Sequence, residues 1–228
     1  MNRSNQTKAY SNMLKEGEIL LLKSEDSFFK NHYTGSPLNI LTGFAGSAGE
    51  AVIDKNSKIT LYVDPRYHLL VDKQIYKDIN VVKMPLGQSF FDVLKKTYKK
   101  NTVLYVPSDI SLELSIKLSK HFDIKTYMAE SENKDYNPNS PIYQARKKGK
   151  FKADRKMLIF NPDEISYLTG LSGFQMKLSS NFKAIMYVDS EKSILFKSEK
   201  EFKKFIKNID DEIYVDFKDI TLENYLLI

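Results

Sequence analysis

The chain has 228 residues, of which 42 % are hydrophobic and 28 % charged, with a formal net charge of +6. That composition supports packed cores and excludes wholesale disorder, and the length suits two small domains. Cysteine is absent, which excludes a disulfide framework and a thiol nucleophile, and the basic excess is scattered lysine with no compact motif for nucleic acid.

In chain order, residues 1–15 are polar and carry no apolar signal core, and no run nears the roughly 20 apolar residues that span a bilayer. The expectation is a soluble cytoplasmic protein, with no membrane and no nucleic acid among its partners. Residues 18–23 (EILLLK) form an apolar run suited to a buried strand. Residues 50–53 and 58–64 flank the polar turn Asp54-Lys55-Asn56-Ser57 and predict a β-hairpin. A helix is predicted from Pro65 to Tyr76, with Leu69, Leu70, Ile75 and Tyr76 apolar. Strands follow at 79–84, 102–106 and 124–128, with helices at 89–99 and 111–121, the latter apolar at Leu112, Ile116 and Leu118.

Residues 129–141 are polar, contain two prolines and read as a linker. Beyond them 143–155 is strongly basic, and a strand is predicted at 157–160. The second half echoes the first. Leu41-Thr42-Gly43-Phe44-Ala45-Gly46 is answered by Leu168-Thr169-Gly170-Leu171-Ser172-Gly173, and the hairpin at 51–64 by one at 184–196. In each copy a strand precedes the Leu-Thr-Gly turn and a hairpin follows it, an order expected of a domain duplication at an offset of roughly 130 residues. A helix (199–207), a strand (212–217) and a helix start (221–227) complete the second copy, which is the shorter. The expected domains are 1–136 and 137–228.

Side chains able to do chemistry are sparse. The histidines, His32, His68 and His121, lie far apart with no ligand spacing, and no nucleotide-loop, zinc-peptidase or nucleophile-elbow motif occurs. The glycines of Gly43-Phe44-Ala45-Gly46-Ser47-Ala48-Gly49 lead into a strand rather than a helix, so they read as devices for a tight turn and close packing. Asp64-Pro65-Arg66-Tyr67 ends the first hairpin. Arg66 beside Asp64 is read two ways: a structural pair fixing the corner, or a braced guanidinium that presents its fork to a peptide carboxylate or carbonyl. Ser24-Glu25-Asp26 with His32-Tyr33, and Lys147-Lys148-Gly149-Lys150, read as surface loops.

The run Leu41 to Gly49, then Ala51-Val52-Ile53 and Leu61-Tyr62-Val63-Asp64-Pro65-Arg66-Tyr67, resembles the first domain of three-domain Xaa-Pro aminopeptidases (the aminopeptidase P branch of the M24 metallopeptidases). Ser24-Glu25-Asp26 with His32-Tyr33 resembles that family's Ser-Glu-Asp segment. Asn161-Pro162-Asp163-Glu164-Ile165 with Tyr167-Leu168 resembles a second-domain motif. The resemblance implies an α/β fold of two tandem, related creatinase-type N-terminal domains, each a mixed β-sheet flanked by helices, the second incomplete. It implies a non-catalytic region, with no catalytic residue and no metal ligand of its own. It places two divalent ions, manganese by analogy, in a catalytic domain lacking here. It assigns Arg66 to substrate binding, with peptides bearing proline second as the substrate of the full enzyme. Pro65 stands where the family has Gly and Tyr62 where it has Trp. The stretch 141–157 is short for the family's opening helix of domain two, and the basic run stands in its place. A separately encoded catalytic chain as partner, a stand-alone peptide- or protein-binding module, and the remnant of a decaying gene stay open as alternatives.

Overall fold

The computed structural model describes residues 2–24, 36–128, 137, 139–147, 151–175, 179–226 and 228. The chain divides into two compact units, Met1–Glu132 and Asn133–Ile228. The Glu25-Asp26 and His32-Tyr33 positions, most of the proposed linker, and Lys148-Gly149-Lys150 lie outside the described residues.

Unit one is built on a six-stranded mixed sheet. Its strands are β1 (Ile19–Lys23), β2 (Gly49–Asp54), β3 (Ile59–Val63), β4 (Asn80–Lys83), β5 (Val103–Pro107) and β6 (Asp123–Tyr127), in the spatial order β4-β3-β2-β1-β5-β6. The β1-β2-β3 segment is antiparallel, and β4, β5 and β6 each join a neighbour in parallel. The apolar run 18–23 becomes the central strand because burial on both faces suits a continuous Leu/Ile stretch. Each such side chain stabilises the unit by about 1.5–3 kcal/mol. The 54–57 turn is an Asx-type turn: Asp54 Oδ1 accepts from the N–H of Asn56 (2.9 Å) and Lys58 (3.0 Å).

Helices α1 (Arg3–Asn12), α2 (Pro37–Thr42), α3 (His68–Gln74), α4 (Phe90–Thr97) and α5 (Leu112–Ser119) flank the sheet. Two of them were not expected. The segment of α1 is too polar to show an apolar stripe. It is held by the Asn2 cap and by Arg3, which donates to Leu41 O (2.9 Å) and pairs with Asp78 (2.8 Å). The other, α2, is only six residues long, too short to show a helical period, and ends in the Leu-Thr-Gly sequence of a turn. The predicted 65–76 helix is a 3-10 turn (Pro65–Tyr67) followed by α3, and its buried residue is Val71, whereas Leu69 is 82 % exposed. In α5, Leu112, Ser115 and Leu118 turn inward and Ile116 is exposed.

Unit two has a four-stranded sheet, β11-β10-β8-β12, of β8 (Met157–Ile159), β10 (Ile185–Val188), β11 (Ser193–Phe196) and β12 (Tyr214–Val215). Here β8-β10-β11 is antiparallel and β12 joins β8 in parallel. That repeats the β1-β2-β3 and β1-β5 pairings of unit one. Its helices are α6 (Pro162–Thr169), α7 (Glu199–Ile206) and α8 (Leu222–Tyr225). A separate ribbon pairs β7 (Ile142–Gln144) with β9 (Leu171–Gly173), so the described start of the basic stretch is strand rather than helix. One core gathers Ile159, Ile165, Phe182, Met186 and Val188. Another set of contacts is aromatic, with Phe196 ring centroids 5.7 Å from Phe202 and 4.9 Å from Phe205.

Among the described residues, no helix is long and apolar enough to cross a membrane.

Candidate functional site

The Leu-Thr-Gly signature is a helix terminus, made the same way in both units. Pro37 and Pro162 occupy the first turn, where a missing N–H costs nothing, and Ser36 and Asn161 cap it with side-chain oxygens. At the other end Gly43 (φ +80°) and Gly170 (φ +68°) adopt the left-handed conformation that closes a helix. Thr42 Oγ1 donates to Leu38 O (2.7 Å) and accepts from Phe44 N–H (3.0 Å). Thr169 Oγ1 does the same with Ile165 O (2.6 Å) and Leu171 N–H (3.2 Å). The repeat in sequence is therefore a repeat of a capping device.

In unit one that cap feeds the glycine-rich loop. Asn39 Nδ2 donates to Phe44 O (3.0 Å), so both backbone groups of Phe44 are clamped and its ring is driven into the core. A Cβ on Gly49 would lie 2.6 Å from Phe44 Cε1, and one on Gly46 would lie 2.8 Å from Tyr67 Cδ1, so side chains at either position are sterically barred. The loop is thus built for close packing, and residues 49–54 continue as strand.

The β2–β3 register sets Gly49 opposite Val63 and so brings the glycine loop and the Asp64-Pro65-Arg66-Tyr67 corner to one end of the hairpin. Tyr67 joins them: its ring stands edge-on to Phe44 (5.6 Å between centroids, 86°), and its hydroxyl hydrogen-bonds Ser47 Oγ at 2.6 Å. Asp64 caps the 3-10 turn. Its Oδ1 accepts from Arg66 N–H (3.0 Å) and from Arg66 Nε (2.7 Å). Pro65 sits at the first position of that turn, where proline's fixed φ fits, so the Gly-to-Pro departure leaves the corner formed. The hydrogen bond from Arg66 holds the Asp64 carboxyl below the usual carboxylate range, and Asp64 raises Arg66 in turn. Both stay charged at neutral pH. The Arg66 side chain is 70 % exposed, with its guanidinium 5.7 Å from the Tyr67 ring centroid. Bracing through Nε leaves the Nη edge as a bidentate donor for a carboxylate or carbonyl.

Sequence reasoning named Arg66, Asp64 and the glycines, but missed Asn39, Ser47 and Tyr67 as the groups that fix them. The Ser-Pro-x-Asn spacing at the start of α2 was the available signal for Asn39. Unit two offers no counterpart to the corner, since β11 runs into Lys197-Ser198. His68 follows the corner with Nε2 enclosed and without a hydrogen-bond partner among the described residues, while His121 Nε2 donates to Tyr98 O (3.0 Å). His32 lies outside the described residues. A cavity of about 530 Å³ in unit two is lined by side chains of both signs, among them Arg155, Lys156, Asp189 and Asp211. Burial and Asp189 push the Tyr187 hydroxyl there up to about 12. Among the described residues, no group of three or more His, Asp or Glu side chains converges as a metal site.

No protein-family model matches the chain, and no curated protein matches it. Solved structures do. The X-prolyl aminopeptidase of Caenorhabditis elegans, a cytosolic enzyme with a dinuclear active site, superposes with a TM-score of 0.69 at 13 % identity, covering 94 % of this chain and 42 % of that one. An aminopeptidase P from Streptococcus thermophilus matches at 14 % identity and TM-score 0.41 over 55 % of this chain and 90 % of that one. The X-Pro aminopeptidase of Thermotoga maritima matches at 22 % identity and TM-score 0.41, over 55 % and 33 %. With the nematode enzyme this chain shares its fold, the mixed α/β architecture of the creatinase-type domains of Xaa-Pro aminopeptidases. It spans 42 % of that enzyme's length.

Proposed function

We propose that this chain is the substrate-gating, non-catalytic region of an Xaa-Pro aminopeptidase in the cytoplasm. Its two units narrow access to a catalytic domain and orient short peptides with proline in second position. The observation that supports this reading is the guanidinium of Arg66, exposed, braced by Asp64 and backed by Tyr67, at the end of β3 and absent at the end of β11. A fold shared with the nematode enzyme over 94 % of this chain supports it further.

The chemistry assigned to this chain is binding. The Nη edge of Arg66 receives a peptide carboxylate or carbonyl, Asp64 keeps the fork from swinging, and the Ser47–Tyr67 hydrogen bond holds the wall beside it. The two divalent ions of the full enzyme, manganese by analogy, would polarise the scissile carbonyl and supply a hydroxide when bound to a catalytic domain. The described residues here do not fit that ligand set.

Two measurements test the reading. Incubated with manganese and a tripeptide carrying proline second, the purified chain is expected to release no N-terminal residue; robust turnover would sink the proposal. Titrated with the same peptide and followed by NMR, the amides of Ser47, Arg66 and Tyr67 are expected to shift, and Arg66→Ala is expected to abolish those shifts while leaving the spectrum otherwise folded. Shifts that survive the substitution would remove Arg66 from the site.

A further inference from the structure

Between β3 and α4, unit one carries α3 and the strand β4. Between β11 and α7, unit two carries only Lys197-Ser198. The two hairpins themselves correspond: Asp54 N–H donates to Lys58 O (3.1 Å) in one, and Asp189 N–H donates to Lys192 O (3.0 Å) in the other. Counted from those closing bonds, Leu195 of β11 stands where Leu61 stands in β3. Leu61 has β4 beside it, opposite Val81, and Val63 O accepts from Met84 N–H (3.0 Å). Leu195 has no such neighbour among the described residues, because β11 is the border strand of its sheet.

Strand alternation says which backbone groups this leaves bare. Asp189 and Lys192 are hydrogen-bonded partners, so Tyr187↔Ile194 and Ile185↔Phe196 are the hydrogen-bonded pairs of the ladder. The N–H and C=O of Ile194 and Phe196 therefore face β10, and those of Ser193, Leu195 and Lys197 face outward. The strand Ser193-Ile194-Leu195-Phe196 holds no charge and no proline. Glu191 before it and Lys197 after it are both exposed.

We propose that the outer edge of β11 docks a second copy of this chain, β11 against β11, antiparallel across a twofold axis. Unpaired N–H and C=O groups along a border template such pairing. The strand carries its own complement, which commits the edge to a second copy. A ladder forms only where outward-facing residues stand opposite one another, and that allows centres on Ser193, Ile194 or Leu195. Centring on Leu195 sets Glu191 against Glu199 of the other copy, and like charges directly opposite are destabilising. Centring on Ser193 sets Leu195 opposite Glu191, whose N–H is already bonded to Asp189 Oδ1 (2.8 Å). Centring on Ile194 sets Ser193 opposite Leu195 and brings Glu191 level with Lys197, on the same face of the joined sheet. Symmetry makes each of these pairs twice, and the twofold axis closes the assembly at a dimer. The shared border is short, so the dimer is weak and reversible.

The test uses the full chain in sedimentation equilibrium over a concentration series, with amide exchange read by NMR on the same samples. A monomer–dimer equilibrium is expected, with the Ser193 and Leu195 amides slowing as dimer accumulates. The Ile194 and Phe196 amides, already committed to β10, are expected to stay constant and serve as the internal control. Glu191→Lys and Lys197→Glu are each expected to weaken dimerisation by about tenfold, since either one turns two attractive cross-strand pairs into two repulsive ones. The double variant is expected to restore it. A chain that stays monomeric throughout the series would overturn the proposal. So would a dimer that ignores the single charge changes or is not restored in the double variant. Protection of Leu195 that is independent of concentration would overturn it too, since the edge would then be covered from within the chain.

Discussion

Phe44 shows how much of the site is decided by single atoms. Its ring fills the space that side chains on Gly46 and Gly49 would need, and Tyr67 closes the same space from the other side. Gly46→Ala is therefore expected to destabilise unit one by about 1–3 kcal/mol, the usual range for an overpacked core, measurable by urea denaturation. The glycines were legible as packing devices because a strand, not a helix, followed them. Asn39 and Tyr67 were not, because nothing in one sequence says which side chain meets a given loop. Glu164 makes a second case. Partial desolvation first, then the charges of Asp219 and Asp216, raise the carboxyl of this exposed residue above the usual value. A raised value means that the folded state prefers the protonated form, so its contribution is present at low pH and lost as pH rises through that value. Glu164→Gln is expected to raise the stability of unit two at neutral pH and to give no gain near pH 3, read by thermal melts at both.

The paired helix ends, α2 and α6, make the duplication testable at the level of elements. Thr42 and Thr169 each bridge the last turn to the chain beyond it. Thr→Val at either position leaves the shape and removes both bonds, at an expected cost of about 1–3 kcal/mol for each unit, since buried backbone groups lose their partners. Comparable losses in the two single variants are expected in urea melts; a loss in only one would mean that the two ends are not equivalent. In α4 the cap is a full box, with Asp92 accepting from Ser89 and from Lys95. Lys95 first, and then Ser89, hold its carboxyl well below the usual range. That stabilisation is present above the ordinary carboxylate value and vanishes as pH falls through the depressed one. The long strands and α4 were readable because period-two and period-3.6 patterns are strong. The α1 helix was invisible because a guanidinium tether, not an apolar stripe, holds it. The inward face of α3 is not legible in the sequence because its first apolar residue, Leu69, points to solvent while Val71 is buried.

At the scale of the whole molecule, among the described residues, lowered carboxyl values recur in both units, at Glu18, Asp64, Asp78, Asp92 and Asp189, against one raised carboxyl, Glu164. The balance predicts a chain that loses stability on acidification from about pH 5 downward, seen as a falling melting temperature; a flat profile would show that these pairs contribute nothing to the fold. The tandem α/β plan was legible from two ordered matches, whereas the shorter match between Asp109-Ile110-Ser111-Leu112-Glu113 and Asp219-Ile220-Thr221-Leu222-Glu223 carries too few residues to stand out in one sequence. The site's location was legible from a resemblance at one corner; its construction required the register of β2 on β3.

The outer strands of unit one carry one more implication. Lys83 on β4 and Asp123 and Lys125 on β6 put ionised groups along both borders of the six-stranded sheet. Stacking border to border with another molecule would force those charges out of water, so crowding should not drive this half of the protein toward fibrils. Neutralising them, with Lys83 and Lys125 changed to Val and Asp123 to Thr, is expected to make concentrated solutions turn turbid while dilute ones keep a native circular dichroism spectrum.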